Sequence, residues 1–167
     1  DLVKEQMDKG LLDIGLLLEP IDMEKYEFIR LNIREKWVVL MRSDDPLSKK
    51  EMVTAKDLSA LPLILPRRMN VQSELASWFG NYYDRLNIVF TSNLSTNSAI
   101  MVNGGLAYSL VIEGAVPFWN QSKVTFRPLD PPLTATSVLA WKRGQPFSLA
   151  TIKFIKHIQC FLGMDKP

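Results

Sequence analysis

The sequence, which has 167 residues, predicts an α/β fold with mainly parallel sheets, arranged as two lobes around a cleft. Short apolar runs with strand character alternate with amphipathic helical segments along the chain. Two apolar strands, residues 36–41 and 136–142, are flanked by proline-containing turns and therefore suit two crossings between lobes. The expected first lobe comprises residues 1–42 and 138–167, and the expected second lobe comprises residues 43–137.

The first lobe begins with a short helix that Gly10 ends. Residues 12–18, with the sequence LDIGLLL, form a continuous apolar run, which is typical of a strand buried on both faces of a parallel sheet. Residues 26–33 and 36–41 are expected to form two separate strands, with residues 34–35 as the link between them. These segments supply the early strands of the lobe.

The second lobe opens with a short helix, because Thr54 and Asp57 have the spacing of a capping box. Residues 62–65 then form a short buried strand. After a loop, an amphipathic helix follows with Asn70 as its predicted N-cap. Residues 87–91 are the next strand.

Residues 93–114 organise the rest of the second lobe. Hydroxyl and amide side chains at the start of this segment suit helix N-caps, and an apolar helix follows. Asn103, Gly104 and Gly105 end that helix, because these residue types tolerate a left-handed backbone, and residues 106–112 form a short strand. Such a helix start offers free backbone N–H groups to an anion or a polar ligand, although a plain capped helix explains the same pattern.

The chain closes with two strands and a helix. Residues 124–126 form a strand that Pro128 ends, and residues 136–142 form the following strand. Residues 149–162 make a strongly amphipathic last helix, with Gly163 just past its end. The last helix completes the first lobe.

Candidate binding residues are those that follow the strands, because ligands of open α/β sheets bind beyond the carboxyl ends of the strands. These residues are Leu18, Pro66, Arg67, Arg68, Asn70, Ser95, Thr96 and Asn97. Arg67 and Arg68 give the sharpest signal, since two guanidinium groups beside helix N-termini suit a carboxylate or a phosphate. The alternative is that one or both arginines point to solvent, as most loop arginines do.

Composition argues against several functional classes. The 20 basic and 18 acidic residues nearly balance, so charge alone gives no sign of a nucleic-acid surface. No run of about 18 apolar residues exists, and no membrane span is therefore expected. The sequence contains no phosphate-binding glycine motif, and no cofactor is expected.

Catalysis and metal binding are not expected either. His157 is the only histidine, and no nucleophile or acid–base pair stands out beside it. Cys160 is the single cysteine, which rules out a disulfide within the chain and fits a reducing compartment. A His/Cys pair alone does not make a zinc site, so Cys160 is expected to be a small buried side chain. We predict that the chain is not an enzyme.

Several short motifs lie in a fixed order along the chain. They are GLLDIG (residues 10–15), EKWVVLM (35–41), DPLS (45–48), DL (57–58), LPLI (61–64), VNGGLAY (102–108) and FRPL (126–129). In this order and spacing they resemble the effector-binding domain of LysR-type transcriptional regulators. That family usually has Gly-Leu-Gly at its helix–strand junction. This chain has Gly104, Leu106 and Ala107 with Gly105 between, and so keeps a small residue after the leucine.

The resemblance implies two Rossmann-like lobes, similar to those of periplasmic solute receptors, with a small metabolite bound in the cleft. In the family, the loop after the strand at residues 62–65 contributes to the ligand pocket, which supports Arg67 and Arg68. Leu18 matches a cleft-facing position and would shape the pocket. The resemblance also implies a bacterial, cytoplasmic homodimer or homotetramer that binds DNA through an N-terminal winged helix-turn-helix.

The chain opens inside a helix and without a methionine, so we expect an N-terminally truncated fragment that lacks the DNA-binding domain. The expected partner is a small anionic effector, such as a carboxylate. The main alternative is a solute-binding receptor of a transport system, which shares the architecture and would follow a secretion signal. A third alternative, an α/β enzyme, would need a nucleophile or base in the cleft, and the sequence offers none.

Overall fold

A computed structural model describes residues 2–118 and 122–163, without the side chains of residues 69–70 and 116–118. The helices in this part of the chain are α1 (Leu2–Asp8), α2 (Ala55–Leu58), α3 (Met69–Phe79), α4 (Ser95–Asn103) and α5 (Leu149–Phe161). The strands are β1 (Ile14–Leu18), β2 (Tyr26–Arg42), β3 (Val53–Thr54), β4 (Pro62–Pro66), β5 (Asn87–Ser92), β6 (Tyr108–Ile112), β7 (Val124–Asp130) and β8 (Thr134–Lys142). Short 3₁₀ helices cover Pro46–Lys49, Gly80–Arg85 and Glu113–Phe118.

The chain forms two compact units. The first unit combines Asp1–Arg34 with Thr136–Pro167, and the second is Glu35–Ala135. Each unit has its own clusters of buried side chains. The expected lobe boundaries at residues 42 and 138, and the cleft, stay predictions.

The first unit contains an antiparallel pair of strands, in which β1 runs beside β8 from Ile14 opposite Trp141 to Leu18 opposite Ser137. Leu16 is 64% exposed, whereas Leu17 on the other face is buried. The prediction of a strand buried on both faces of a parallel sheet was therefore wrong. A continuous apolar run in the sequence does not show that one face of the strand is exposed to solvent.

Helix α1 lies against the buried face of β1, and Gly15 is the residue that allows this close approach. A Cβ at Gly15 would lie 2.6 Å from the Sδ atom of Met7. The core that results is a cluster of buried apolar side chains: Met7, Leu17, Tyr26, Val138 and Ala140. A second cluster joins Ile29, Trp141 and Ile155.

Helix α5 begins after Ser148, whose side-chain oxygen accepts a hydrogen bond from the backbone N–H of Thr151 at 3.2 Å. Its buried positions are Thr151 and Ile155. Cys160 lies on another side of the helix and is exposed, so the expectation of a buried cysteine was wrong. In an amphipathic helix the position on the helix, rather than the residue type, decides burial.

Strand β2 is one continuous strand of 17 residues, not two strands with a link at residues 34–35. Its first part belongs to the first unit and its last part to the second. Asn32 has a φ of 52° within this strand. Asparagine is one of the few residues that adopt such a left-handed conformation at low energetic cost, so a single asparagine accommodates the irregularity without ending the strand.

The second unit contains a mixed sheet with a parallel centre. Strands β6, β4 and β5 are parallel neighbours in that order, with Leu63 opposite Tyr108 and Pro66 opposite Ser92. Strand β2 lies antiparallel to β6, and β7 lies antiparallel to β2. The carboxyl ends of β6, β4 and β5 therefore meet at one edge of the sheet, together with the part of β2 that starts this unit.

Helix α4 packs on one face of this sheet. Its buried residues Ala99 and Val102 join Val38 and Leu40 of β2 and Val111 of β6 in one core cluster. The helix ends where the sequence predicts, because Gly104 is its C-cap and Gly105 has a φ of 73°. The predicted capping box is also confirmed, with Thr54 and Asp57 exchanging both hydrogen bonds at the start of α2.

Strand β7 continues through Pro128, which the sequence suggested would end it. Pro128 lies opposite Val38 of β2, and Leu129 pairs with Val53 of β3. A proline is tolerated where its missing N–H is not needed by a neighbouring strand. Proline alone therefore does not mark the end of this strand.

Strand β5 pairs with β4 and lies at the end of the strand order in the described part of the chain. Ile88, Val89 and Phe90 are 41%, 38% and 46% exposed, so apolar side chains emerge on both faces of this strand. Residues 86–112 contain no Asp, Glu, Lys or Arg. The border of the sheet is therefore apolar and uncharged.

No helix within residues 2–118 and 122–163 combines the length and the apolar character needed to span a membrane.

Candidate functional site

The carboxyl edge of the parallel strands collects most of the predicted binding residues. Pro66, the last residue of β4, lies opposite Ser92, the last residue of β5. The backbone N–H of Arg67 donates a hydrogen bond to the carbonyl oxygen of Ser92 at 2.9 Å. Helices α3 and α4 both begin within three residues of these strand ends. The structure thus brings the arginine loop and the start of α4 to the same edge.

Arg67 and Arg68 differ in their surroundings. The Arg67 side chain is exposed, and its backbone is fixed by the bond to Ser92. Arg68 is half-buried and holds the N-cap position of α3. Burial lowers the pKa of Arg68 below its ordinary value, while the nearby Glu74 carboxylate opposes that shift. An arginine remains cationic in such an environment, so both side chains bring positive charge to this edge.

Pro66 contributes its backbone to the site. Its carbonyl oxygen accepts a hydrogen bond from the side-chain amide of Gln72 at 3.0 Å, which ties the loop to the first turns of α3. The peptide group between Pro66 and Arg67, at the start of the arginine loop, is therefore fixed from two sides, by Gln72 and by Ser92.

Asn70 is not the N-cap of α3. The helix begins at Met69, with Arg68 in the cap position and without a side-chain cap hydrogen bond. Asn70 is thus in the first turn of the helix, and its side chain lies outside the described part of the structure. Asn70 is a residue of a type that often caps helices, but the N-cap position lies two residues earlier, at Arg68.

None of Ser95, Thr96 and Asn97 caps α4, although the sequence suggested that one of them would. The N-cap is Leu94, which has no side-chain cap hydrogen bond. Ser92 instead bridges the turn: its hydroxyl accepts from the Leu94 N–H at 3.2 Å and donates to the Leu94 carbonyl at 2.9 Å. Ser95, Thr96 and Asn97 are helical residues of the first turn, and Thr96 and Asn97 are exposed. The positive end of the helix dipole points toward the strand ends.

Leu18 belongs to the first unit. It is the last residue of β1, lies opposite Ser137 and is half-buried. Its place in a cleft shared with the arginines stays a prediction.

Two polar groups at the same edge were not in the predicted set. Trp37 of β2 lies opposite Ile112 at the end of β6. The residue is only 4% exposed, and its indole Nε1 has no hydrogen-bond partner within the part of the chain that the structure describes. Glu35 precedes it by two residues, and its carboxylate lies against Gly114. The sequence signal for them is the period of two between Glu35 and Trp37 at the start of an apolar strand, whereas Glu35 was expected to lie in a link between two strands.

A polar cavity lies at the opposite end of the sheet. It has a volume of about 440 Å³ and is lined by Arg42, Ser43, Asp44, Asn103, Ser122 and Lys123. Arg42 is already paired with Asp44, whose carboxylate lies 2.5 Å from the guanidinium. This cavity contains none of the predicted binding residues.

Within the described residues, no group of three or more His, Cys, Asp or Glu side chains lies close enough together to hold a metal ion.

An α/β sheet with cationic side chains and helix N-termini gathered at its carboxyl edge is the arrangement of a small-molecule-binding domain. The chain matches the family of the LysR substrate binding domain over residues 1–162. It therefore belongs to that family.

Two curated relatives are transcriptional regulators. The chain is 29% identical over 166 residues to the uncharacterized HTH-type transcriptional regulator YvbU of Bacillus subtilis, covering 98% of this chain and 55% of that protein. It is 26% identical over 146 residues to the Hca operon transcriptional activator HcaR of Escherichia coli, covering 85% of this chain and 49% of that protein. The chain thus spans about half the length of these relatives. They do not favour the alternative of a transport receptor.

The fold is also that of solved family members. The C-terminal domain of a probable LysR family transcriptional regulator from Rhodococcus sp. RHA1 superposes with a TM-score of 0.77 at 17% identity, covering 95% of this chain and 79% of that one. At this identity the likeness concerns the fold alone.

Proposed function

We propose that this chain is the ligand-sensing part of a transcriptional regulator and that it binds a small anionic metabolite at the carboxyl edge of β6, β4 and β5. The observation that carries the proposal is the convergence of Arg67 and Arg68 with the first turn of α4 at that edge. The arginines supply charge-assisted hydrogen bonds, and the helix start supplies oriented N–H groups. A carboxylate or a phosphate is the ligand chemistry that fits both.

The two arginines would have different roles. Arg67 is exposed and can reach toward a ligand, whereas Arg68 is half-buried and sets the positive potential at the base of the loop. Because Gln72 and Ser92 fix the peptide group between Pro66 and Arg67, the backbone at Arg67 loses little further freedom when a ligand binds. A prearranged cationic loop favours affinity for a small anion.

The mechanism of sensing would be a population shift. A ligand changes the balance between two arrangements of a protein only by its difference in affinity for them. In the whole regulator we propose that this difference is transmitted through an oligomer to DNA-binding domains. A small effector would then change the affinity of the oligomer for its operator.

The first test uses single and double alanine variants of the arginines in the natural full-length protein. The probes are succinate, benzoate, phosphoenolpyruvate and ribose 5-phosphate, with binding measured by isothermal titration calorimetry. For the probe that binds best, Arg67→Ala or Arg68→Ala should weaken affinity by about tenfold, which corresponds to about 1.4 kcal/mol for a lost charged contact.

The matched control is Arg85→Ala. Arg85 is also exposed, but it precedes β5 and therefore lies at the other end of the parallel strands. Its removal should leave the affinity unchanged. Equal affinity of the wild type and the Arg67/Arg68 double variant would show that these arginines do not bind the effector. An absence of binding to every probe would refute the anionic class.

A further inference from the structure

The start of β2 in the second unit places two side chains on the same face of the carboxyl edge. Residues two apart in a strand point to the same side, so Glu35 and Trp37 share a face. Val38 and Leu40 point to the other face, where they pack on α4. The strand order β2, β6, β4 sets Glu35 and Trp37 two strands away from the arginine loop along the edge.

The Trp37 indole is a buried donor without an acceptor. The residue is 4% exposed, and among the described residues its Nε1 atom has no hydrogen-bond partner. Nearly all buried polar groups in folded proteins are paired, so an exception at the edge of a binding site calls for an explanation. An oxygen atom of a bound ligand would supply the missing acceptor.

Glu35 is a half-buried carboxylate. Within the described residues its side chain makes no hydrogen bond and no ion pair. It packs directly on the backbone of Gly114, because a Cβ at that position would lie 2.9 Å from Oε2. Any larger residue at 114 would have to displace the carboxylate. A carboxylate in this position can accept a hydrogen bond from a cationic or hydrogen-bond-donating group of a ligand.

The edge therefore carries a negative group on β2 and positive groups after β4. Adjacent strands lie about 4.8 Å apart, so the backbones of β2 and β4 are separated by about 10 Å, and the long arginine side chains shorten that gap. We propose that the effector is an amino carboxylate, whose ammonium group binds Glu35 and whose carboxylate binds Arg67 and Arg68. Trp37 Nε1 donates to a ligand oxygen. This inference rests on the proposed function and adds the cationic half of the ligand.

The test compares amino carboxylates with their N-acetyl derivatives in the natural full-length protein. The probes are the twenty L-amino acids, 4-aminobutanoate and 6-aminohexanoate, screened by thermal shift and then titrated by calorimetry. Acetylation removes the positive charge and keeps the carboxylate. The best-binding amino carboxylate should bind at least tenfold more tightly than its N-acetyl form.

Two variants assign this preference to the proposed residues. Glu35→Gln should abolish the preference for the free amine, because the substitution keeps the shape of the side chain and removes its charge. The control Glu51→Gln, at an exposed position, should leave that preference unchanged. Trp37→Phe should weaken binding at least fivefold without lowering the melting temperature of the free protein, since the lost N–H has no partner there.

The outcomes separate this inference from the proposed function. Equal binding of the free and acetylated forms, or a preference that survives Glu35→Gln, would overturn the amino-carboxylate inference. If Arg67→Ala still weakened binding in that case, the anionic site would stand. Binding that is sensitive to neither Glu35→Gln nor the arginine variants would overturn both, as would the absence of binding by any probe.

Discussion

Asp57 is held in the second unit by hydrogen bonds from two residues, Thr54 and Lys50. It accepts hydrogen bonds from the Thr54 backbone N–H at 3.0 Å and from the Lys50 ammonium at 2.6 Å. The Lys50 contact, followed by the bond from the Thr54 backbone, lowers the pKa of Asp57 below its ordinary value of 3.8. The charged form is therefore favoured by folding.

Asp57→Ala should destabilise the protein by about 1–2 kcal/mol at neutral pH, the range for a lost capping residue. A carboxyl group with a lowered pKa in the folded state adds stability above its unfolded pKa, and this stability disappears as the pH falls through the folded value. The difference in unfolding free energy between the variant and the wild type should therefore become smaller at acid pH, below 3.8. Urea unfolding at neutral and acid pH measures it.

The control for Asp57 is Asp84→Ala, at an exposed position. It should change stability by less than about 0.5 kcal/mol. If the loss of unfolding free energy in Asp57→Ala stayed constant down to acid pH, the charge of Asp57 would not have the assigned stabilising role.

The sequence predicted part of the site at this scale. Arg67 and Arg68 were predicted as candidate binding residues because a basic pair directly follows a recognisable strand, and their role in binding stays a prediction. Glu35 and Trp37 were missed, because their common face becomes visible only when β2 is known to be continuous. The buried, unpartnered state of Trp37 Nε1 depends on neighbours far apart in the sequence, and no local pattern reports it.

At the scale of elements, β2 contains one residue whose backbone limits what can replace it. Asn32 has a φ of 52° inside the strand. Asn32→Val should destabilise the protein by about 1–2 kcal/mol, because a left-handed conformation is unfavourable for a β-branched residue. Asn32→Gly should stay within about 0.5 kcal/mol of the wild type, since glycine adopts this conformation freely. Thermal unfolding compares the variants.

Arg34→Val serves as the control, because it introduces the same β-branched residue two positions later, at an exposed position of the same strand with an ordinary φ. It should be neutral or slightly stabilising, as valine favours strands. Equal losses at positions 32 and 34 would mean that the backbone conformation of Asn32 is not the cause.

The elements themselves were largely predictable from their patterns. The capping box of Thr54 and the glycine end of α4 were confirmed because both depend on a few adjacent residues. The predicted starts of α3 and α4 were wrong by one or more residues. Capping residue types are preferred at helix starts but not required, and the N-caps Arg68 and Leu94 make no side-chain cap hydrogen bond.

For the whole molecule, the α/β class and the family were accessible from the sequence because apolar periodicity and motif order are distributed over the full chain. The pairing of the strands could not be predicted from the sequence. The antiparallel partner of β1 is β8, more than 100 residues away. Long-range contacts of this kind leave no mark within either segment.

The exposed border of β5 also affects how the protein behaves in solution. Edge strands in natural proteins are commonly protected by lysine, proline or bulges, and β5 carries Ile88, Val89 and Phe90 without a charge. The free hydrogen-bonding groups of such a strand can template further strands from other molecules. A protein prepared alone at high concentration should therefore form aggregates that scatter light.

Val89→Lys should raise the concentration at which scattering begins by several-fold, whereas Leu106→Lys, an exposed position off the strand, should have a smaller effect. Static light scattering over a concentration series distinguishes the two. If both lysines acted equally, net charge rather than the strand border would control solubility. Otherwise the uncharged stretch at residues 86–112 limits the concentration at which the purified protein stays free of aggregates.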